Sequence, residues 1–300
     1  MAARKKSLTV FIVASLASLA FLAISPSQLG ARMAAQSKPS RIISVIPAVT
    51  EMLFAIGAGP QVVGVGSFDE YPAEVRTLPR VGALLDPDLE RILALRPDLV
   101  VVYESQVDFR RQLERASVPT FVYKHAGLAD VTQTIAAIGS RTGRVTEAAS
   151  VVRAIESKLK EIRTRVEGRP RAKAMIVFGR DALALRGIYA SGGVGFLNDM
   201  LEAAGGSNVF ADVAKQSVQA TTELILARRP DVIIELRPQQ MAPQDLTNEL
   251  TAWQALSAVP AVRSGRVVIL ADQRTVVPGP RVAEGTELVA RALHPGAFGK

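Results

Sequence analysis

The chain has 300 residues, enough for two ordinary domains or one large one, and 48% apolar with 21% charged residues is the balance of a packed globular protein. Half of its net charge of +8 comes from Arg4, Lys5, Lys6 and Arg32. The remaining +4, with no basic stripe of interleaved aromatics, argues against a nucleic-acid partner, and the absence of cysteine excludes disulfides, thiolate chemistry and a lipid-modified cysteine.

Arg4-Lys5-Lys6 precedes a 17-residue apolar run, Leu8 to Ile24, and small residues such as Ser25, Ser27 and Ala31 follow. That is the pattern of a secretory signal peptide. The alternative is an uncleaved anchor, since the run is nearly long enough to span a bilayer. Residues 1–36 are read as signal peptide and linker. The expected location is periplasmic, or membrane-anchored if the segment is retained.

Beyond residue 37, short β-branched runs alternate with helical patterns. Strands are expected at Arg41–Ile46, Val62–Val65, Leu99–Tyr103 and Val118–Tyr123, with helices after Thr50, around Phe109–Ala116 and at about Leu128–Gly139. From about Val145 to Glu167, apolar residues recur on one helical face: Ala148, Val151, Val152, Ile155, Leu159, Ile162 and Val166. Gly168-Arg169-Pro170 ends that helix. The second half repeats the plan with a strand at Ala174–Phe178, a glycine-rich loop at Tyr189–Gly195, and a helix at Phe196–Ala203. A polar loop at Gln239–Asp245, Trp253 on an amphipathic helix, a strand at Val267–Leu270 and a last helix from Val282 follow. The expected fold class is α/β: two lobes with mostly parallel sheets covered by helices. The lobes are 37–143 and 170–300, joined by one long helix within 144–169.

One stretch occurs twice. Asp88–Val102 and Thr221–Glu235 are identical at seven of fifteen positions: Glu90/Glu223, Ile92/Ile225, Leu93/Leu226, Ala94/Ala227, Arg96/Arg229, Pro97/Pro230 and Asp98/Asp231. Asp88 and Thr221 suit helix N-caps, and the glutamate two residues later suits the positive end of the helix dipole. A Pro-Asp break and a buried strand follow. Two exposed acids at matched places on two lobes could also engage two basic pockets of a two-fold symmetric partner.

Sites for chemistry are sparse. His125 and His294 fall in different lobes, which excludes a multi-histidine metal site. No Gly-x-Ser-x-Gly elbow, complete dinucleotide fingerprint or Walker sequence occurs. Phe68, Tyr71, Tyr103, Tyr123, Tyr189 and Phe196 fall in or beside loops that follow strands, where open α/β sheets collect ligands. Each suits a core; together they outline an aromatic cleft.

RIISVIPAVTEMLFAIGAG, VVGVGSFDEYP and LPRVGALLDPDLERILALRPDLVV resemble the periplasmic substrate-binding proteins of ABC importers for cobalamin, haem and siderophores, cobalamin-binding members above all. GGVGFLNDMLEAAGGSNVF, TTELILARRPDVII and PGPRVAEGTELVARALHP extend the resemblance over about residues 41–295. It implies a monomer that captures a metal chelate between its lobes without chemistry, has no cofactor of its own, and delivers the chelate to a dimeric inner-membrane permease. Glu90 and Glu223 then dock on arginine-lined permease pockets. The implied cleft residues are Pro47, Ala48, Thr50, Phe68, Tyr71, Leu84 and Leu85 in the first lobe. In the second they are Arg180, Tyr189, Gln216, Arg237 and Arg274. The three arginines suit an acidic ligand: haem propionates, a ferric siderophore or a corrinoid phosphate. Tyr103, Tyr123 or His125 would suit haem iron. A secreted α/β enzyme and a membrane-anchored chelate sensor are the readings from other classes.

Overall fold

The computed structural model describes residues 38–298. The expected signal peptide lies outside them. The first lobe is built on β1 (Ile42–Ser44), β2 (Val62–Val65), β3 (Leu99–Tyr103) and β4 (Thr120–Tyr123), in the parallel order β2-β1-β3-β4. Val100, Val101 and Val102 are wholly buried, as strands are when helices cover both faces. The covering helices are α1 (Pro47–Ala55), α2 (Leu89–Ala94), α3 (Val107–Arg115) and α4 (Leu128–Thr142). Gly143, at φ 74°, takes the left-handed conformation that ends α4.

The connection between lobes is α5 (Val145–Val166), 22 residues and so roughly 33 Å long. Its inner stripe of Ala148, Ile155, Leu159, Ile162 and Val166 is buried. Its outer face carries ion pairs at helical spacing, such as Arg165–Glu161 at 2.6 Å.

The second lobe comprises β5 (Lys173–Gly179), β6 (Tyr189–Ser191), α6 (Phe196–Ala203), β7 (Ser207–Asn208), β8 (Ser217–Gln219), α7 (Thr222–Arg228) and β9 (Val232–Arg237). It continues with α8 (Pro243–Ala252), α9 (Pro260–Arg263), β10 (Val267–Ala271) and α10 (Val282–Leu293). The sheet order is β10-β9-β5-β6-β8, with β7 also paired to β5. β10, β9, β5 and β7 are parallel, whereas β6 runs antiparallel to both neighbours. Tyr189–Ser191 is therefore a strand rather than part of a glycine-rich loop; three residues are too few to show a period. α8 starts at Pro243, inside the stretch read as a polar loop, with proline at a first-turn position where no amide is needed. Trp253 lies one residue past α8, in a 3-10 turn, and is wholly buried.

Side-chain alternation along β5 and β9 divides two cores. Ala174, Ile176, Val232 and Ile234 join a core that also contains Ile42 and Val100 of the first lobe, Ile155 of α5 and Val289 of α10. Met175, Val177 and Ile233 face the other way, onto a smaller core with Phe210 and Trp253. The larger core passes through both lobes without a break.

Each repeated stretch folds alike. Asp88 accepts the Arg91 amide at 3.0 Å and Thr221 accepts the Leu224 amide at 3.2 Å, so both cap their helices. Ile92 and Ile225 anchor the helices at 0% exposure. Arg96 and Arg229 turn left-handed, at φ 47° and 51°, before the proline. The aspartate after it then reaches the amino end of a neighbouring strand. Asp98 accepts from the Ser40 and Arg41 amides, both at 2.8 Å, and from the Ser40 hydroxyl at 2.9 Å. Asp231 accepts from the Lys173 amide at 3.2 Å.

Candidate functional site

The carboxyl ends of β2, β3 and β4 in the first lobe and of β5, β9 and β10 in the second carry the loops that face one another. Between them lies a cavity of about 490 Å³ with His125, Phe178, Phe196, Gln216, Pro238 and Pro278 in its lining. A second, polar cavity of about 430 Å³ lies beside it, sharing Pro238 and lined by Glu70, Arg76, Gln273, Arg274 and Arg281. Pockets of this size and apolar character are where small ligands bind in α/β proteins. Larger hollows of about 790, 630 and 610 Å³ lie elsewhere: beside α5, at the amino ends of β5 and β9, and beside α3.

A row of rings leads from Tyr103 and Tyr123 in the first lobe to His125 and Phe196 in the lining of the apolar cavity. Tyr103 meets Tyr123 edge-on at 5.6 Å, Tyr123 stacks on His125 at 6.2 Å, and His125 meets Phe196 of the second lobe at 5.5 Å. The Tyr123 hydroxyl and His125 Nδ1 are buried without a hydrogen-bond partner. Burial pushes the Tyr123 phenol well above its usual range and holds the His125 imidazole below its usual value, so the ring is neutral near pH 7. Two unpaired buried polar atoms are costly unless a ligand meets them.

The loop after β2 holds a further buried acid. Asp69 is 1% exposed and neither carboxylate oxygen has a hydrogen-bond partner. Burial raises its pKa to about 6, with the charge of Arg80 offsetting part of the rise. Arg80 holds this loop by donating to the Gly66 carbonyl at 2.8 Å and the Asp69 carbonyl at 2.6 Å.

The expected cleft residues divide into three groups. Phe68, Tyr71, Leu85 and Tyr189 are exposed, at 73, 45, 95 and 44%, and none of them lines either cavity. Tyr189 is backed by Phe178, its ring 6.4 Å away. Gln216 lines the apolar cavity and donates to the His125 carbonyl at 3.5 Å. Pro47 opens α1 half-buried, and Leu84 packs partly on the core beneath Leu85. Tyr103 is half-buried beside Tyr123.

Ala48 and Thr50 are buried. The Thr50 hydroxyl bonds to Ser44 Oγ at 2.8 Å and holds the first turn rather than facing outward.

The arginines are already engaged. Arg180 requires correction as a cleft residue: its side chain has no exposed surface. Its Nε lies 3.0 Å from Glu235 and its Nη2 2.6 Å from Glu249. Trp253 Nε1 donates to the same Glu235 oxygen at 2.9 Å. Arg237, 22% exposed, lies 2.5 Å from Glu235, yet its Nε and Nη2 form no hydrogen bond; Arg274, 34% exposed, pairs with Asp272 at 2.6 Å and Glu284 at 3.1 Å. Burial of a guanidinium and two carboxylates demands this mutual pairing.

Sequence reasoning missed Phe178, Pro238, Asp69, Glu51 and Arg281. Phe178 and Pro238 were findable, since both sit at the carboxyl ends of strands. Asp69 has no such signal, because its burial depends on how the loop folds back over β1.

Glu90 and Glu223 are exposed in the first turns of α2 and α7, which place them on the cleft side of each lobe. The Glu223 carboxyl is held below its ordinary value by its own amide and the hydroxyls of Thr221 and Thr222. Among the described residues no group of three or more His, Asp or Glu could hold a metal ion, and no helix is long and apolar enough to cross a membrane.

Two α/β lobes, one long connecting helix and a ligand-sized cavity at facing strand ends define a bilobal binding protein. The chain belongs to the periplasmic binding protein family, whose pattern matches residues 42–274. It is 30% identical over 271 residues to the uncharacterized ABC transporter substrate-binding lipoprotein YvrC of Bacillus subtilis, covering 88% of this chain and 82% of that one. It is 28% identical over 253 residues to the vitamin B12-binding protein of Pectobacterium carotovorum, covering 80 and 88%. In fold it matches the periplasmic heme-binding protein RhuT of Roseiflexus, with a TM-score of 0.73 at 24% identity over 86% of this chain and 99% of that one.

Proposed function

We propose that the chain is the periplasmic substrate-binding component of an ABC importer and that its cargo is a corrinoid, carried without chemical change. The observation that carries the choice of cargo is the likeness to the vitamin B12-binding protein of Pectobacterium carotovorum over 80% of this chain. The cavities suit that cargo: one is apolar, with no charged side chain in its lining, and the other offers the exposed Arg76 to a phosphate. The apolar cavity would take one edge of the macrocycle, with Phe68, Tyr71, Leu85 and Tyr189 covering the rest.

Haem is the second reading, supported by the unpartnered His125 Nδ1 and Tyr123 hydroxyl, either of which has the chemistry of an axial iron ligand. Ferric siderophores belong to the same class of cargo. In either case Glu90 and Glu223 serve as the two contacts to a two-fold symmetric permease. Isothermal titration of the chain lacking residues 1–35 with cyanocobalamin, haemin and ferric siderophores tests the reading. Tight binding of cyanocobalamin alone is the expected result. A haemin complex whose absorption spectrum changes in His125→Ala would replace it. Glu90→Ala with Glu223→Ala should leave that affinity unchanged and abolish uptake.

A further inference from the structure

The two lobes also meet through a buried ion pair close to the cleft. Arg281, immediately before α10, sends Nε to Glu51 Oε2 at 2.9 Å and Nη2 to Glu51 Oε1 at 2.6 Å. The partners are 230 residues apart, and their side chains are 17 and 3% exposed. The other face of the same guanidinium covers the Tyr71 ring, 3.8 Å from its centroid. Glu51 is one helical turn beyond Pro47 and Ala48, and Gly279 packs against it so closely that a Cβ there would stand 3.2 Å from Glu51 Oε2. The loop that bears Arg281 also supplies Val276 and Pro278 to the apolar cavity. The pair therefore joins the first turn of one lobe to the cavity wall of the other.

A planar guanidinium can satisfy a carboxylate with one edge and an aromatic ring with one face at the same time. Here the edge is held by Glu51 and the face seats a ring that is exposed to the cleft. Cross-lobe contacts nearby lack this character. Gln273 bonds to an exposed Glu70, and Gln216 to a backbone carbonyl at 3.5 Å.

We propose that Glu51 and Arg281 form an interlobe latch that fixes both the separation of the lobes and the pose of Tyr71 at the cleft wall. Any opening of the cleft at this end must break the bidentate pair and release the ring together. Glu51 and Arg281 are positioning residues: they act on cargo through Tyr71 and through the cavity loop. The inference rests on the cleft being the binding site, but its test needs no cargo.

The absence of cysteine allows spin labels at Ala73→Cys and Ala242→Cys, one exposed position on each lobe, to report interlobe distances in the unliganded protein. With the native pair the distribution should be single and narrow. Arg281→Gln and Glu51→Gln should broaden it roughly twofold or shift it to longer distance, as expected when an equilibrium between closed and open forms is released. The double variant should be no broader than either single one, and Arg281→Lys should fall between. With only four tyrosines in the chain, ring resonances of Tyr71 should move in Arg281→Gln while those of Tyr103, Tyr123 and Tyr189 stay in place. Native distances and an unmoved Tyr71 resonance in a folded Arg281→Gln would overturn the proposal, as would additive broadening in the double variant. If Glu51→Gln does not fold, Arg281→Lys and Arg281→Gln carry the same test. A cargo other than a corrinoid would leave these outcomes unchanged.

Discussion

The two copies of the repeated stretch build the same helix, the same left-handed turn and the same strand entry, yet their strands finish in opposite chemistry. β3 ends in Val102 and Tyr103 within an apolar lobe. β9 ends in Glu235, Leu236 and Arg237, where two buried acids and two arginines are stitched together around Trp253. The shared part is what local physics requires: a cap, an anchoring isoleucine, and an aspartate for unsatisfied strand amides. The divergent part is at the carboxyl ends, where only the surroundings decide what is tolerated. A repeat thus preserves its folding unit while its functional end is free to change.

The largest effect that would separate the two lobes is expected from Arg180→Met. It strands Glu235 and Glu249 in the smaller core, at a cost of about 3–5 kcal/mol. Arg41→Met in the first lobe, whose guanidinium bonds to the Leu95 and Arg96 carbonyls, should cost about 1 kcal/mol. Urea unfolding of both variants measures the difference.

A smaller contrast lies in the paired aspartates. Asp98→Ala loses three hydrogen bonds and should cost about 2 kcal/mol, against about 1 kcal/mol or less for Asp231→Ala. The first loss has a pH signature. Burial raises the Asp98 carboxyl, but the amides of Ser40 and Arg41 and the Ser40 hydroxyl outweigh it and hold the group below its ordinary 3.8. Its contribution is therefore complete above pH 3.8 and disappears as pH falls through the folded value. The gap between native and Asp98→Ala stability should close in that acid window. A gap unchanged by acid would show that the hydroxyl and amides do not depend on the ionised form.

The smallest effect should also be the most even. Asp88→Ala and Thr221→Ala each remove one helix cap and should each cost about 1 kcal/mol, leaving the lobes alike. A large inequality there would mean that the two helices are not held by the same local forces.

Legibility in the sequence followed the same division. The strands Val62–Val65 and Leu99–Tyr103, the helix Phe196–Ala203 and the long connecting helix could be read from periodicity. Their faces are set by nearby residues in the chain. The doubled motif exposed the two-lobed plan because identical residues needed the same caps and turns. Tyr189–Ser191 was not legible as a strand, since its pairing partners β5 and β8 come from elsewhere. Arg180 illustrates the limit at the site. A charged residue just past a strand looks like a ligand contact, and only its burial against Glu235 and Glu249, which are 55 and 69 positions away, reveals its other role. Glu51 and Arg281 were hidden for the same reason, with no local pattern to link them.

The unbroken core bears on how the chain comes apart. Val282, Val289 and Leu293 of α10 share an interior with Ile42 of the first lobe, so neither lobe holds a complete interior by itself. Heat or urea should therefore melt both lobes in one cooperative transition rather than in two steps.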